Sequence, residues 1–154
     1  VGYFYAESLI LAEAGNLEIQ THPGLQEIDY GDWQGRTYRQ LTRLRMWKIL
    51  HQAPEQAAFP GGETPAAAQA RAVEALREIA DLYGTGEIIA CFTHADVIRL
   101  AAAHFLGLPL KGYQYLRADP AGISGLLLEG GTEQLLFFNT APERLGIPAW
   151  NQKG

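Results

Sequence analysis

Residues 84–107 read GTGEIIACFTHADVIRLAAAHFLG. The apolar run IIACFT at residues 88–93 follows a glycine-containing turn, which predicts a short buried strand. A helix over about residues 96–106 is predicted to follow at once, because glycine and proline then interrupt the chain. His94 would therefore stand where the strand ends and the helix begins. Ligand sites of α/β proteins gather at such positions.

The rest of the chain mixes helical and strand patterns. Thr64 as the N-cap, Pro65 at the first helical position and Gly84 past the end frame the clearest helix. Hydrophobic positions recur on one face of this helix at Val73, Leu76, Ala80 and Tyr83. Further helices are predicted at residues 7–14 and from Thr37 to Leu50, and strands at residues 123–129 and 133–138 around a Gly130-Gly131 turn.

This order of elements favours a three-layer α/β domain. Helices would cover a mostly parallel sheet that has an antiparallel edge. The 154 residues, of which 47% are hydrophobic, are enough for one ordinary core. A single domain over residues 1–154 is therefore expected.

Composition narrows the range of partners. A formal charge of −5 argues against sequence-independent binding of nucleic acid, because no basic excess is present to neutralise phosphates. The apolar runs are far shorter than the roughly 20 residues that span a bilayer. The single cysteine, Cys91, suits a reducing cytoplasm. We expect a cytoplasmic protein that binds a small charged metabolite and no membrane; the sequence does not indicate the oligomeric state.

His94 is the first candidate for chemistry. The N-terminus of a helix carries unpaired N–H groups and a partial positive charge, so His94 and the backbone of Ala95 and Asp96 could bind a phosphate oxygen. The alternative is a histidine that caps the helix or packs at a strand end.

Glu27 is the second candidate, within LQEIDYGDWQG at residues 25–35. A carboxyl group held close to a departing oxygen can protonate it when burial keeps its pKa near the working pH. The alternative is a solvated loop carboxylate.

Two further features could contribute to binding. Glu63, in PGGET at residues 60–64, could line a pocket, although chemistry at the helix start explains it nearly as well. Arg36 opens a basic cluster without acidic residues that could attract an anionic substrate, although a solvated helix face explains it too. The cluster comprises Arg36, Arg39, Arg43, Arg45 and Lys48.

Other phosphate chemistries fit poorly. A cysteine phosphatase would need an arginine six residues after Cys91, where Val97 stands, and no GxxxxGK[ST] loop occurs. The His94 segment offers too few ligands for a metal site. The sequence therefore calls for neither a metal nor another cofactor.

Taken in order, LQEIDYGDWQG, PGGET and FTHADVIRL followed by LGLPL resemble the histidine phosphatase superfamily, the phosphoglycerate-mutase-like phosphatases. The segment RADPAGISGLLLEGGTEQLLFFN, residues 117–139, is similar to the closing strands of that family. The resemblance extends from about Leu25 to Asn139 and implies a phosphoglycerate-mutase-like fold.

The resemblance also implies a mechanism. In this family a histidine of an N-terminal Arg-His-Gly motif attacks phosphorus, and a phosphohistidine forms and is hydrolysed. His94 matches the second active-site histidine, which stabilises the phosphoryl oxygens, and Glu27 matches the acid that protonates the leaving alcohol. Only 24 residues separate Gly35 from Pro60, which favours a phosphomonoesterase over a mutase with its longer insertion.

One departure from the family is large. No Arg-His-Gly occurs in the chain, and an arginine that contacts phosphate in the family would fall near Tyr3. We therefore expect that the first strand and helix of the fold are missing and that the chain alone is inactive. The alternative function is a noncatalytic domain that binds a phosphorylated ligand or another protein.

Overall fold

The computed structural model describes residues 18–146. Four α-helices and two β-strands lie within them: α1 (Tyr38–Leu41), α2 (Arg45–Gln52), α3 (Pro65–Tyr83), α4 (Ala95–Phe105), β1 (Ile123–Glu129) and β2 (Thr132–Thr140). Short 3-10 helices occur at Pro23–Leu25, Gly31–Trp33, Pro54–Gln56, Leu110–Tyr115 and Pro142–Leu145. The helix predicted at residues 7–14 lies outside the described residues.

Helix α3 confirms its predicted boundaries. The Thr64 hydroxyl accepts a hydrogen bond from the amide of Ala67 at 3.0 Å, and Pro65 occupies the first helical position. Gly84 ends the helix with a φ of +77°, a conformation that favours glycine. The buried face consists mainly of small residues, namely Pro65, Ala68, Ala72, Val73 and Ala75. Tyr83, expected on the apolar face, is exposed instead.

Helix α4 packs against α3 and begins one residue earlier than predicted, at Ala95. Its Val97 and Leu100 side chains are almost fully buried. The Gln69 amide of α3 donates to the carbonyl of Leu100 at 2.8 Å, which fixes the two helices to each other. The start of α4, beside His94, is therefore held by the core.

The single helix predicted from Thr37 to Leu50 is wrong, because the chain forms α1 and α2 with a break at residues 42–44. Thr37 does cap α1, in a reciprocal pair with Gln40. The break follows from Thr42, whose hydroxyl donates to the carbonyl of Arg39 and competes with helix continuation. Leu44 then adopts an extended backbone and starts α2.

The two C-terminal strands form an antiparallel hairpin, as predicted. Gly130 and Gly131 both have positive φ, the conformation that the tight turn between β1 and β2 requires. Gly125 lies against the ring of Phe137, where a larger residue would clash. This hairpin is the only sheet formed within residues 18–146.

The buried strand predicted at residues 88–93 is not formed within the described part of the chain and stays a prediction. These residues form no helix or strand there, and Ile88 is 100% exposed. A strand needs a neighbouring strand for its backbone groups, and residues 18–146 provide none beside this segment. The chain mixes helices and strands as expected, whereas the three-layer parallel sheet stays a prediction.

An aromatic cluster forms the core below the loop that carries Glu27. Trp33 and Phe59 are buried, and their rings meet edge to face with centroids 5.2 Å apart. Tyr30 packs on Phe59 in the same manner at 5.0 Å. Ile28, Leu100 and Tyr113 complete the cluster. The core thus joins the Glu27 loop to helix α4.

Candidate active site

Glu27 lies in a loop that has no helix or strand over residues 27–30. Ile28, the next residue, is buried and anchors the loop in the core, while Glu27 remains exposed. One carboxylate oxygen of Glu27 accepts a hydrogen bond from the amide of Ile28 at 2.9 Å. The other oxygen faces His94.

The structure brings His94 and Glu27 together. The distance from His94 Nδ1 to Glu27 Oε2 is 3.6 Å, an ion pair when the imidazole is protonated. Both side chains are partly exposed, with 24% of His94 and 40% of Glu27 accessible. They are 67 positions apart in the sequence, so the fold creates this proximity. A ligand can reach both groups.

His94 is the N-cap residue of α4, yet its side chain makes no capping hydrogen bond. The reading of His94 as a side-chain cap is therefore excluded. Ala95 is exposed at the first helical position, and Asp96 follows in the first turn. Amides in the first turn of a helix have no partner within the helix, so this end of α4 favours an anion.

A polar network links the segment that carries Glu27 to the start of α4. The Tyr30 hydroxyl donates to Asp96 Oδ2 at 2.7 Å, and Asp96 forms an ion pair with Arg99. Burial, and next the negative charge of Glu27, raises the pKa of Tyr30 above its ordinary value. Tyr30 therefore keeps its proton for this hydrogen bond. The Thr93 hydroxyl donates to the carbonyl of Leu25 at 2.6 Å and forms a second link.

Arg71 of α3 is the most highly hydrogen-bonded side chain near Glu27. Its guanidinium donates to the carbonyls of Gly24, Gln26 and Glu27 at 2.9, 2.8 and 3.1 Å. It also donates to both carboxylate oxygens of Glu63, at 2.6 and 3.0 Å. Sequence reasoning missed Arg71. The available signal was its place in the second turn of the helix that Glu63 precedes.

The side chains of Glu63 and Arg36 form hydrogen bonds to neighbouring protein groups. Glu63 binds Arg71 and also accepts from the amide of Asp29 at 2.9 Å. Arg36 is exposed, and its Nε donates to the carbonyl of Asp32 at 2.7 Å. Substrate binding by Ala95, Glu63 and Arg36 stays a prediction.

A cleft of about 490 Å³ lies beside Tyr30 and Asp96, and neither Glu27 nor His94 is among its lining residues. Tyr30 and Asp96, the hydrogen-bonded pair described above, contribute to its lining. The remaining lining is largely aromatic and amide-bearing, and comprises Trp33, Gln34, Gly35, Leu41, Trp47, Leu50, His51, Phe59, Arg99, Tyr113 and Gln114. The cleft thus offers flat apolar walls with a few polar groups.

The other histidines make local contacts. His22 pairs with Glu78 at 3.0 Å, and His104 lies 3.3 Å from Arg77. His51 lines the cleft, and its Nδ1 lies 2.8 Å from the carbonyl of Trp47. Residues 18–146 contain no group of three or more side chains suited to hold a metal ion. Over the same residues, every helix is too short or too polar to cross a lipid bilayer.

Several known proteins are similar to this chain. Phosphoserine phosphatase 1 of Hydrogenobacter thermophilus is 26% identical over 140 residues, which cover 88% of this chain and 64% of that protein. Phosphoglycerate mutase-like protein 4 of Arabidopsis thaliana is 33% identical over 99 residues, 62% of this chain and 43% of that protein. The chain thus spans less than two thirds of either relative.

Solved structures resemble the fold. YhfR of Bacillus stearothermophilus matches with a TM-score of 0.83 and 25% identity, over 91% of this chain and 70% of that one. A mutant phosphoserine phosphatase of Entamoeba histolytica, in complex with phosphoserine, matches with a TM-score of 0.74 and 23% identity, over 85% and 68%. The family model of the histidine phosphatase superfamily, branch 1, matches residues 6–141, and the protein belongs to that superfamily.

Proposed function

We propose that the protein is a phosphomonoester hydrolase that acts through a phosphohistidine intermediate, with Glu27 as the general acid and His94 as a donor to the phosphoryl oxygens. The observation that carries the proposal is the 3.6 Å approach of His94 Nδ1 and Glu27 Oε2 at the start of α4. The relative named phosphoserine phosphatase 1 supports the same class of reaction.

The nucleophile would come from an Arg-His-Gly segment, which the chain does not contain. Its imidazole attacks phosphorus, the P–O bond to the alcohol breaks, and protonated Glu27 gives its proton to the departing oxygen. Glu27, now a carboxylate, takes a proton from water as that water attacks the phosphohistidine. Inorganic phosphate and the alcohol are the products, and Glu27 ends the cycle protonated.

The first turn of α4 and His94 would stabilise the transferring phosphoryl group. Negative charge on its oxygens is favoured there by the helix dipole and by the amide of Ala95. The alcohol portion of a small phosphorylated metabolite would occupy the cleft lined by Tyr30 and Asp96. The three-layer phosphoglycerate-mutase-like sheet of the family belongs to this proposal as well.

The test uses a fusion in which an Arg-His-Gly strand and helix of a histidine phosphatase precede Val1. In it, Glu27→Gln should lower kcat/KM for an alkyl phosphate about 10²- to 10⁴-fold, the usual range for a general acid. An aryl phosphate with a nitrophenolate leaving group should be nearly unaffected, because that oxygen departs as a stable anion. His94→Ala should slow both substrates alike.

The unfused chain is the control without a nucleophile, and it should show no turnover of either substrate. kcat/KM is the right quantity, because it reports the first phosphoryl transfer and not the later hydrolysis of the phosphoenzyme. Equal losses on both substrates for Glu27→Gln would remove Glu27 from the acid role. A trapped phosphohistidine on the unfused chain would move the nucleophile to one of its own histidines.

A further inference from the structure

We propose that Arg71 is a positioning residue that holds Glu27 beside His94 and thereby sets the rate of protonation of the leaving group. The inference rests on the proposed function and adds to it a residue outside the reacting groups. It begins from the observation that residues 27–30 have no helix or strand of their own. Contacts from elsewhere must therefore fix the position of the Glu27 backbone.

Arg71 supplies those contacts on the N-terminal side of the loop. Its two terminal nitrogens bind the carbonyls of residues 24, 26 and 27 at 2.8 to 3.1 Å. A guanidinium is planar and presents its donors in a rigid fork, so three carbonyls bound at once define a position and an orientation. The backbone of Glu27 is thus held directly by α3.

Glu63 extends the same arrangement to the other side of Glu27. Its carboxylate fixes Arg71 through two hydrogen bonds and accepts from the amide of Asp29 at 2.9 Å. Residues on both sides of Glu27 are therefore attached either to α3, through Arg71, or to Glu63, which precedes the N-cap of α3. Arg71 and Glu63 are mostly shielded from water, with 26% and 19% of their side chains accessible, which strengthens these contacts.

Arg77 forms a comparable ion pair on α3 without contacting the loop that carries Glu27. It binds both carboxylate oxygens of Glu133, and 42% of its side chain is accessible. It has the same residue type and the same helix as Arg71, but its carboxylate partner lies on β2. Arg77→Gln is therefore a matched control for Arg71→Gln.

The first experiment needs no catalysis. In the unfused chain, nuclear Overhauser effects should connect the ring protons of His94 to the γ-protons of Glu27. Arg71→Gln should abolish these effects, and Arg77→Gln should leave them intact. Arg71→Lys should behave like Arg71→Gln, because an ammonium group keeps the charge but cannot bind three carbonyls in one plane.

The second experiment measures leaving-group dependence in the Arg-His-Gly fusion. Arg71→Gln should lower kcat/KM for the alkyl phosphate about 10²-fold, since a misplacement of about 1 Å has that effect on a catalytic group. The aryl phosphate should change little, and Arg71→Gln should add nothing to Glu27→Gln. Glu63→Gln, which retains Arg71, should give a smaller loss of the same kind and serves if Arg71→Gln does not fold.

The proposal is overturned if Arg71→Gln keeps the His94–Glu27 contact, or if it slows alkyl and aryl phosphates alike. Restoration of both readouts by lysine would also overturn it, because charge alone would then suffice. If Glu27→Gln shows no leaving-group effect, the proposed acid role fails, while the nuclear Overhauser measurement still decides whether Arg71 positions Glu27.

Discussion

The contacts of Glu63 lower the pKa of its carboxyl group. Burial alone would raise the pKa of its carboxyl group, but the hydrogen bonds from Arg71 and from the amide of Asp29 outweigh burial. The pKa of Glu63 therefore lies below its ordinary value of 4.5. The charged form is the one that the folded protein stabilises.

This shift predicts a loss of stability in acid. Because the folded pKa is lower than the unfolded one, ionised Glu63 stabilises the fold above about pH 4.5, and the contribution disappears as the pH falls through the folded pKa. Glu63→Gln should be less stable than the parent at about pH 7, and the difference should shrink at about pH 3. Urea unfolding at the two pH values measures it. A pH-independent difference, or the same behaviour in the exposed control Glu55→Gln, would contradict this account.

The two proposed catalytic residues were easier to identify from the sequence than the residues that support them. His94 and Glu27 occur in short recognisable segments, and the structure does bring the pair together. Arg71 contacts Glu27 across 44 positions, and Tyr30 contacts Asp96 across 66. Such partners depend on how α3 and α4 pack, which no local pattern encodes.

Between elements, a close approach of two backbones fixes the loop that carries Glu27 on the segment that precedes α3. Gly62 lies against the carbonyl of Asp29, and Gly31, with a φ of +50°, lies against the carbonyl of Pro60. A Cβ atom at either glycine would overlap these backbone atoms. The amide of Glu63 also donates to the carbonyl of Asp29 at 3.0 Å. The PGGET segment thus packs directly on the segment that follows Glu27.

Gly62→Ala should therefore destabilise the protein by about 1–3 kcal/mol, the usual cost of overpacking. It should also shift the amide resonances of residues 27–31, because the loop must move to make room. Chemical denaturation and amide spectra measure the two effects. Gly35→Ala is the comparison, since Gly35 has positive φ but open space around it, and its substitution should leave residues 27–31 in place. Similar spectra for both variants would contradict the close packing.

The sequence correctly predicted those elements whose ends are marked by capping or turn residues. Thr64, Pro65 and Gly84 defined α3, and two glycines defined the hairpin turn. The failure at residues 42–44 has another cause. Thr42 interrupts a helical pattern by donating its hydroxyl to the carbonyl of Arg39. Residues 88–93 have the composition of a strand, but strand formation depends on a neighbour that the segment itself does not specify.

At the scale of the whole molecule, the net charge decides whether the protein is expected to bind nucleic acid. The net charge of −5 coexists with a basic cluster around α1 and α2 in which all five side chains are exposed. Its members are Arg36, Arg39, Arg43, Arg45 and Lys48. Exposure makes them solvated, and the overall field of the protein remains negative.

The dissociation constant for duplex DNA should therefore exceed about 10⁻⁴ M at about 0.1 M salt. Such binding is weaker than that of the usual nonspecific binders. Fluorescence anisotropy of a labelled duplex measures this. Saturable binding that weakens with salt would mean that the basic cluster outweighs the net charge. Arg39→Glu combined with Arg43→Glu would then have to abolish it.

Two hydrogen bonds link the segment around Glu27 to the start of α4, and neither uses a proposed catalytic side chain. Tyr30 binds Asp96, and Thr93 binds the carbonyl of Leu25. A duplicated gene could therefore lose Glu27 or His94 through one codon change and still encode a folded domain. Selection for folding would preserve Tyr30 and Asp96 in such a copy after selection for turnover had ended. Among diverged copies, substitutions should accumulate first at Glu27 and His94 and only later at the residues that join their segments.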